Sequence, residues 1–454
     1  MKTKAFILQV AIWLAWVPAI ASTSLIFSPL FHSYRGREHV VTFEHYFETD
    51  FTSDGEVAAL TPAQRQAYSQ LNIKPVFKLL FGPSTHRSIG GPQRNEAIDV
   101  QWNQARLKEG RIILPTRYQG VWIVDREIAS RGQFPLPVPV NFNKLFTPQW
   151  KRCTDSAPDH QSPTILWYYW DPSRPGCDHQ AGVHYENATL KIGNATFNEV
   201  RSFPEYDRMT RSVETGKRLQ VTIAFGYVQD LPNPNPERDT DPGVYEYRRF
   251  VQFARGAMPG AEEEPILQKE YEYASNPSLI IGHRFTGLLN GVQTIVNVVA
   301  AAGVDHMYLF AKSFAHDHDG VFAWMGHSRV GTGFDSDRFL SIVRSNPQYY
   351  SITKNYQLVY WGGCNSYSYY TIPFFQFKAS PEDPNGTRGL DIIAHGLPSY
   401  FSLNAPNAAT LLRAVLRWPS RPSYQEIIRE LENNGSAAGA SLLAAVLGDE
   451  DNPK

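Results

Sequence analysis

The 454-residue sequence predicts an α/β domain with a mainly parallel sheet in its C-terminal half, preceded by a β-rich N-terminal domain. Two observations predict this arrangement. Largely apolar runs alternate with helical patterns after residue 216, whereas short strand-like runs and frequent turn signals fill residues 22–215. We therefore expect a signal segment at 1–21, domains at 22–215 and 216–445, and a disordered tail at 446–454.

The composition is that of a folded protein and limits its partners. Apolar residues make up 42% and charged residues 19% of the chain, which excludes a wholly disordered protein. Because 43 Lys and Arg residues are balanced by 44 Asp and Glu residues, we expect no nucleic-acid partner. We expect neither a cofactor nor a bound metal, and the sequence leaves the oligomeric state open.

The first residues have the pattern of a cleaved secretory signal. Lys2 and Lys4 precede an apolar stretch at 5–17, and residues 19–21 form the small-x-small ending that a signal peptidase accepts. The alternative is an uncleaved anchor, but the stretch is shorter than the about 20 residues that span a bilayer. We expect a secreted or periplasmic protein with no stable membrane span after cleavage.

The cysteine count points to one disulfide and one free thiol. An exported protein normally pairs its cysteines, and three cannot all pair within one chain. Cys153 and Cys177 flank a polar, proline-rich segment, where a disulfide closing the loop would contribute about 3 kcal/mol. Cys364 is then either a reactive thiol or a small buried side chain.

The N-terminal half has few clear elements. Strand-like runs occur at 40–43 and 120–124. Thr61 and Pro62 have the residue types of an N-cap and a first helical position, which predicts a helix over 63–71.

The C-terminal half alternates between strand and helix patterns. The capping-box residues Ser423 and Glu426 mark the start of its last helix. A loop rich in Pro, Asp and Asn is expected at 230–241. Strands are predicted at 219–228, 321–325, 356–361 and 390–395, and helices at 286–302, 335–344, 407–417 and 423–435.

Two of the apolar runs end in short turns of small residues that carry reactive side chains. The run at 321–325 is followed by a turn with His327, and the run at 356–361 by a turn with Cys364. Sites in open α/β sheets form beyond the carboxyl ends of the strands, so we expect both side chains at one edge. A thiol beside an imidazole can ionise and attack a carbonyl, and the imidazole can then protonate the leaving group.

The same turns offer backbone amides for an oxyanion or for the substrate backbone. Gly326, Ser328 and Gly363 are the candidates. Glycine lets another backbone approach closely, and its N–H can face developing negative charge.

The motifs Gly326-His327-Ser328 and Gly362-Gly363-Cys364, in this order, resemble those of the caspase-like cysteine peptidases. This family includes caspases, gingipain- and clostripain-like enzymes and the bacterial CHAT proteins. In it a His follows one strand and the Cys ends the next. The resemblance covers residues 216–435, and its stretch at 390–416 is similar to the strand and helix after the Cys in CHAT proteins.

The resemblance implies a cysteine-dependent peptidase that acts on a peptide or protein. His327 is then the general base and Cys364 the nucleophile. Family members usually have Gly directly after the His, where this chain has Ser328. The Gln-Ala-Cys triplet of caspases is replaced by Gly-Gly-Cys.

A serine mechanism uses the same turn. Residues 326–331 are close to the G-x-S-x-G nucleophile elbow of α/β-hydrolases. Ser328 would then attack, His395 would act as base, and Asp383 or Asp391 would orient it.

Two further interpretations involve neither a cysteine nor a serine nucleophile. His316 and His318 would share one face of a strand and could bind zinc, although a solvated loop also fits this segment. The C-terminal domain could also be a non-catalytic binding protein on a peptidase-like scaffold.

Overall fold

The structure is a computed structural model. The signal predicted at 1–21 lies outside the residues that it describes, as does most of the loop between Cys153 and Cys177. Within the described ranges, no helix is both long and apolar enough to cross a membrane. The described residues are 31–78, 89–91, 96–154, 170–196, 200–214, 216–229, 231, 235–271, 280–302, 305–328, 333–417, 420–449 and 452.

The strands of the described chain form two sheets. In chain order they are β1 (His32–Ser33), β2 (Gly36–Glu48), β3 (Ala97–Val100), β4 (Arg106–Lys108), β5 (Arg111–Asp125), β6 (Gln133–Pro139), β7 (Tyr185–Thr196), β8 (Thr210–Val213), β9 (Gly216–Gly226), β10 (Glu262–Leu267), β11 (Ile280–Leu289), β12 (Val292–Ala301), β13 (Val321–Met325), β14 (Gln357–Trp361), β15 (Leu390–His395) and β16 (Ala444–Leu447).

The helices are shorter on average in the first half of the chain than in the second. They are α1 (Asp54–Ala58), α2 (Pro62–Tyr68), α3 (Lys74–Lys78), α4 (Arg126–Ala129), α5 (Tyr206–Met209), α6 (Pro242–Ala257), α7 (Asp305–Ala311), α8 (Ser336–Ser345), α9 (Ser366–Lys378), α10 (Asn404–Leu416) and α11 (Tyr424–Ala437). Short π-helical turns follow α2 at Ser69–Ile73 and α7 at Lys312–His316, and a 3-10 turn at Phe401–Leu403 precedes α10.

The smaller sheet forms the β-rich part of the chain and is antiparallel throughout its named pairs. Its order is β3-β5-β2-β7-β6, with β4 paired to β5. Along β2, Val41 and Phe43 are buried while Glu44 and Tyr46 are exposed, the alternation of a strand covered on one face. The predicted disulfide between Cys153 and Cys177 is present, and Cys153 belongs to the core of this part.

The larger sheet confirms an α/β architecture, but it is mixed and not mainly parallel. Its order is β1-β16-β15-β14-β13-β9-β12-β11-β10, with β8 paired to β9. The five central strands, β12, β9, β13, β14 and β15, are parallel, and antiparallel strands flank them on both sides. Helices α6, α10 and α11 cover one face, whereas α7, α8 and α9 cover the other.

The helix predicted at 286–302 is wrong, because these residues form most of an antiparallel hairpin. Strands β11 and β12 pair from Gly282 opposite Val299 to Leu289 opposite Val292. Asn290 and Gly291 form the turn with φ angles of 53° and 78°. Asn-Gly between two apolar runs is a strong hairpin signal, since both turn residues need positive φ. The helical spacing of the apolar residues was coincidental, and β12 is rich in β-branched residues.

The capping signals correctly located two helix starts, and the helix predicted at 335–344 is also present. Thr61 and Ser423 form the capping boxes of α2 and α11, and Asp335 caps α8. Helix α6 was not predicted, although Asp241 caps it and Pro242 occupies its first turn. The Pro- and Asp-rich composition before it masked that start signal.

The described residues of the predicted tail, 446–449 and 452, differ from the disorder expected there. Strand β16 pairs with β15 on one side and with β1 on the other. Beyond it, Asp449 is buried and accepts a hydrogen bond from Ser202 at 2.5 Å. Asn452 is also buried and donates to Asp391 at 2.5 Å. Hydrogen bonding to the core orders these polar residues despite their composition.

Candidate functional site

His327 and Cys364 occupy equivalent positions at one edge of the large sheet. Strands β13 and β14 are parallel neighbours, and Trp324 is the register partner of Trp361. His327 follows Trp324 by three residues, and Cys364 follows Trp361 by the same interval. The two turns therefore leave the sheet side by side, as the strand-end argument predicts.

Exposure singles out these two side chains within their turns. His327 and Cys364 are both partly exposed. The other residues from Trp324 to Ser328 and from Trp361 to Ser366 are all buried. Within these two described stretches, the imidazole and the thiol are thus the groups partly open to solvent.

The two turns are in direct contact. The Ser328 hydroxyl donates a hydrogen bond to the carbonyl of Cys364 at 2.5 Å. The indole N–H of Trp324 donates to the carbonyl of His327 at 3.0 Å. A Cβ added to Gly363 would lie 2.6 Å from the Ser328 oxygen, so the close approach requires glycine there. The Ser328 hydrogen bond and the close approach at Gly363 hold the Cys364 turn against the His327 turn, which the Trp324 bond braces from within.

A third turn, after β15, contributes to the same edge. The thiol of Cys364 donates to the carbonyl of Ser399 at 3.3 Å. The Phe401 ring meets the His327 ring edge to face, with centroids 4.9 Å apart. Tyr400, which lies between Ser399 and Phe401 in the sequence, is exposed. The turns that follow three adjacent parallel strands therefore converge around the imidazole and the thiol.

The Cys364 turn leads directly into helix α9. Asn365 is the N-cap of this helix and has a left-handed backbone with φ of 48°. The Ser366 hydroxyl donates to the carbonyl of Trp361 at 2.7 Å and accepts from the backbone N–H of His395 at 2.8 Å. A thiolate formed on Cys364 would lie beside the N-terminus of this 13-residue helix, where negative charge is favoured.

The predicted oxyanion candidates have a packing role in the structure. A Cβ on Gly326 would lie 2.8 Å from the Trp324 ring, and one on Gly363 would lie 2.8 Å from the carbonyl of Gly326. Ser328 is 4% exposed, with its hydroxyl turned to the Cys364 carbonyl. Their use as oxyanion donors stays a prediction.

The residues of the serine alternative are not joined in a hydrogen-bonded relay. His395 contacts the Tyr360 hydroxyl through Nε2 at 2.8 Å, and not the Ser328 oxygen. Asp391 accepts from two tyrosine hydroxyls. Asp383 accepts from backbone amides of its own loop. Each member has a separate structural task, and residues 329–332 of the proposed elbow lie outside the described chain.

Two other histidines near this edge are unsuited to acid–base work at neutral pH. Burial lowers the pKa of His395 to about 3 and the pKa of His306 to about 4. Both are almost fully buried, at 0% and 2% exposure. His327 is the accessible histidine of the three.

In the described part of the chain, His316 and His318 do not belong to a group of three possible metal ligands, so the structure does not support the zinc alternative. His316 contacts Asp317 at 2.8 Å at the end of a π-helical turn, and His318 has a left-handed backbone, so the segment is not a strand. Among the described residues, the group with metal-ligand proximity is Cys153, Cys177 and His179, and its two sulfurs are joined in the disulfide.

The sequence did not reveal the third turn or the backbone at Asn365. Ser399 and Phe401 follow the predicted strand at 390–395, so the strand-end argument that located His327 and Cys364 applies to them as well. The left-handed conformation of Asn365 has only a weak signal, the tolerance of Asn for positive φ.

Comparisons of the chain with protein-family models, curated proteins and solved structures found no match.

Proposed function

We propose that this protein is an exported cysteine-dependent peptidase in which Cys364 is the nucleophile and His327 the general base. One observation carries the proposal. Among the described residues of two contacting turns after neighbouring parallel strands, His327 and Cys364 are the partly exposed ones. Exposed polar groups on a tightly packed, otherwise buried turn are candidates for function more than for stability.

The caspase-like resemblance supports the same assignment. It implies a His after one strand and a Cys at the end of the next, and the two residues follow β13 and β14 in that order. Helices on both faces of a sheet with a parallel centre are also consistent with it. The disulfide supports export, because such bonds persist in oxidising compartments.

The chemistry proceeds in two steps. His327 takes the thiol proton as the Cys364 sulfur attacks the scissile carbonyl, and a C–S bond forms. The C–N bond then breaks, and the imidazolium returns the proton to the leaving amine. Water, deprotonated by His327, attacks the thioester and releases the acid, and the proton returns to the thiolate. Backbone amides of Gly363 and its neighbours are the proposed donors to the oxyanion.

A non-catalytic binding protein is the second candidate, and one observation favours it. The thiol donates to the Ser399 carbonyl, which stabilises the protonated, unreactive form. For catalysis this contact has to be exchanged for one with His327.

Turnover of a peptide library by three proteins tests the proposal. The wild type is expected to cleave, and Ser328→Ala to cleave more slowly because it loses the hydrogen bond to the Cys364 carbonyl, whereas Cys364→Ala is expected to be inactive. Activity that needs Ser328 and survives loss of Cys364 would establish the serine mechanism. No cleavage by correctly folded wild type, together with slow labelling of its thiol, would favour the binding protein.

A further inference from the structure

We propose that the β-rich domain is part of the candidate site, because it holds the nucleophile turn in place through Glu38 and Tyr367. The Tyr367 hydroxyl donates to the Glu38 carboxylate at 2.6 Å. Glu38 lies on β2 and Tyr367 in the first turn of α9, three residues after Cys364. Both are buried, at 2% and 0% exposure, so solvent cannot replace either partner.

Two further contacts join the β-rich domain to this edge of the large sheet, one at the start of α9 and one at the turn after β15. Gly91 lies against the helix start, since a Cβ there would be 2.7 Å from the Ser368 oxygen and 3.6 Å from Asn365 Nδ2. Ile123 of β5 packs below the turn after β15, where a Cβ on Gly396 would be 2.5 Å from its side chain. The helix that starts behind the thiol is thus held by the large sheet and by the β-rich domain.

This arrangement makes the distance between thiol and imidazole depend on two domains. His327 is attached to β13, whereas the position of Cys364 depends on the first turn of α9. Small displacements of reacting groups cost large factors in rate. Glu38 and Tyr367 are therefore positioning residues. The inference rests on the proposed function for its biological meaning, but the reactivity of the Cys364 thiol can be measured without a substrate.

Alkylation of Cys364 by iodoacetamide gives the direct readout. Since Cys153 and Cys177 are bonded to each other, Cys364 is the free thiol of the chain. The second-order rate is measured across pH for the wild type, Tyr367→Phe and Glu38→Gln. The Cys364→Ala variant measures alkylation at other residues, and this background rate is subtracted.

Helix α9 offers a matched control. Tyr370 is also fully buried and donates its hydroxyl to the Phe334 carbonyl at 2.9 Å, inside the α/β domain. Tyr370→Phe removes a comparable hydrogen bond one turn further along the helix. A thermal unfolding curve for each variant establishes that the two tyrosine changes destabilise the protein similarly.

Tyr367→Phe is expected to lower the alkylation rate near neutral pH by about fivefold or more and to shift its pH profile. Tyr370→Phe is expected to stay within about twofold of the wild type, because it leaves the Cys364 turn in place. Glu38→Gln keeps an acceptor for Tyr367 and should retain most of the rate. Equal effects of the two tyrosine changes, or no effect of Tyr367→Phe, would overturn the inference. Absence of peptide turnover alongside the expected labelling pattern would instead refute only the proposed function.

Discussion

The turns after β13 and β14 differ from the amino ends of the same parallel strands in how they expose their ionisable groups. At the carboxyl ends, His327 and Cys364 are partly exposed on tightly packed turns. At the amino ends, Asp319 and Asp391 are fully buried, and Lys378 is partly exposed with its ammonium group hydrogen-bonded to the protein. Both ends carry groups that could do chemistry, and the turns after β13 and β14 hold a partly exposed imidazole and a partly exposed thiol side by side.

Several large shifts in pKa occur at the amino ends. Burial raises the pKa of Asp319 to about 7 and lowers the pKa of Lys378 to about 7. Burial, and secondarily the charge of Asp449, raise the pKa of Asp391 well above its usual range. Lys378 donates to two backbone carbonyls and to Gln357, which is the pattern of a structural group.

This contrast teaches that a perturbed pKa does not by itself mark a site in this protein. Perturbed values are common at functional sites, but structural networks produce them as well. Here exposure and strand register identify the candidate site, and burial explains the shifts elsewhere.

The largest expected effect is the loss of turnover when His327 or Cys364, at the carboxyl ends of the strands, is replaced. His327→Ala is expected to lower kcat/KM about 10²- to 10⁴-fold, the usual contribution of a general base. The double variant with Cys364→Ala should lose no more than Cys364→Ala alone, because the two residues act as one unit. Lys378→Met, at the amino edge, should leave turnover per folded molecule unchanged. A large loss in Lys378→Met would break the comparison between the two ends.

Two glycines at opposite ends of these strands sharpen the same contrast. Gly320→Ala would bring a Cβ within 2.2 Å of the Met209 carbonyl, so it should destabilise the fold by about 1–3 kcal/mol. Gly363→Ala meets the Ser328 hydroxyl instead and displaces the reactive turn. We expect it to reduce turnover of the folded protein at least about tenfold. Denaturant unfolding and kinetics of both variants check this, and equal turnover losses would contradict it.

The smallest effect concerns pH and stability at the amino edge. The folded pKa of Asp391 lies above its unfolded value near 3.8, so the folded state holds a proton that the unfolded state releases. Its contribution to stability is full below about pH 4 and is lost as pH rises through the folded pKa. In the Asp391→Asn variant, the side chain at this position cannot ionise.

Unfolding free energies of the wild type and Asp391→Asn between pH 4 and 8 measure this contribution. The stability of the wild type should fall relative to that of the variant as pH rises. A constant difference would mean that Asp391 does not titrate in this range.

The strands that carry the site were predictable because each has a strong local signal. Strands β13 and β15 match the predicted runs at 321–325 and 390–395, and β14 differs from its predicted run by one residue. Largely apolar runs of this length favour buried strands when small, turn-forming residues follow. The positions of His327 and Cys364 at one edge followed from that pattern.

The rest depends on contacts between distant segments. No local pattern shows that Glu38 meets Tyr367, or that the turn with Phe401 packs on His327. Periodicity also misled at β11 and β12, where Asn290 and Gly291 carried the better signal. Position-specific chemistry, such as caps and Asn-Gly turns, was more informative than the spacing of apolar residues.

The most direct test of the central claim is the pH profile of Cys364 alkylation with and without the imidazole. This measurement needs no knowledge of the substrate, and it concerns one thiol. If His327 and Cys364 form one reactive unit, the wild type should react at least about tenfold faster than His327→Ala near pH 7, with its rate rising at lower pH. Superimposable profiles for the two proteins would show that the imidazole does not activate the thiol, and they would contradict the account.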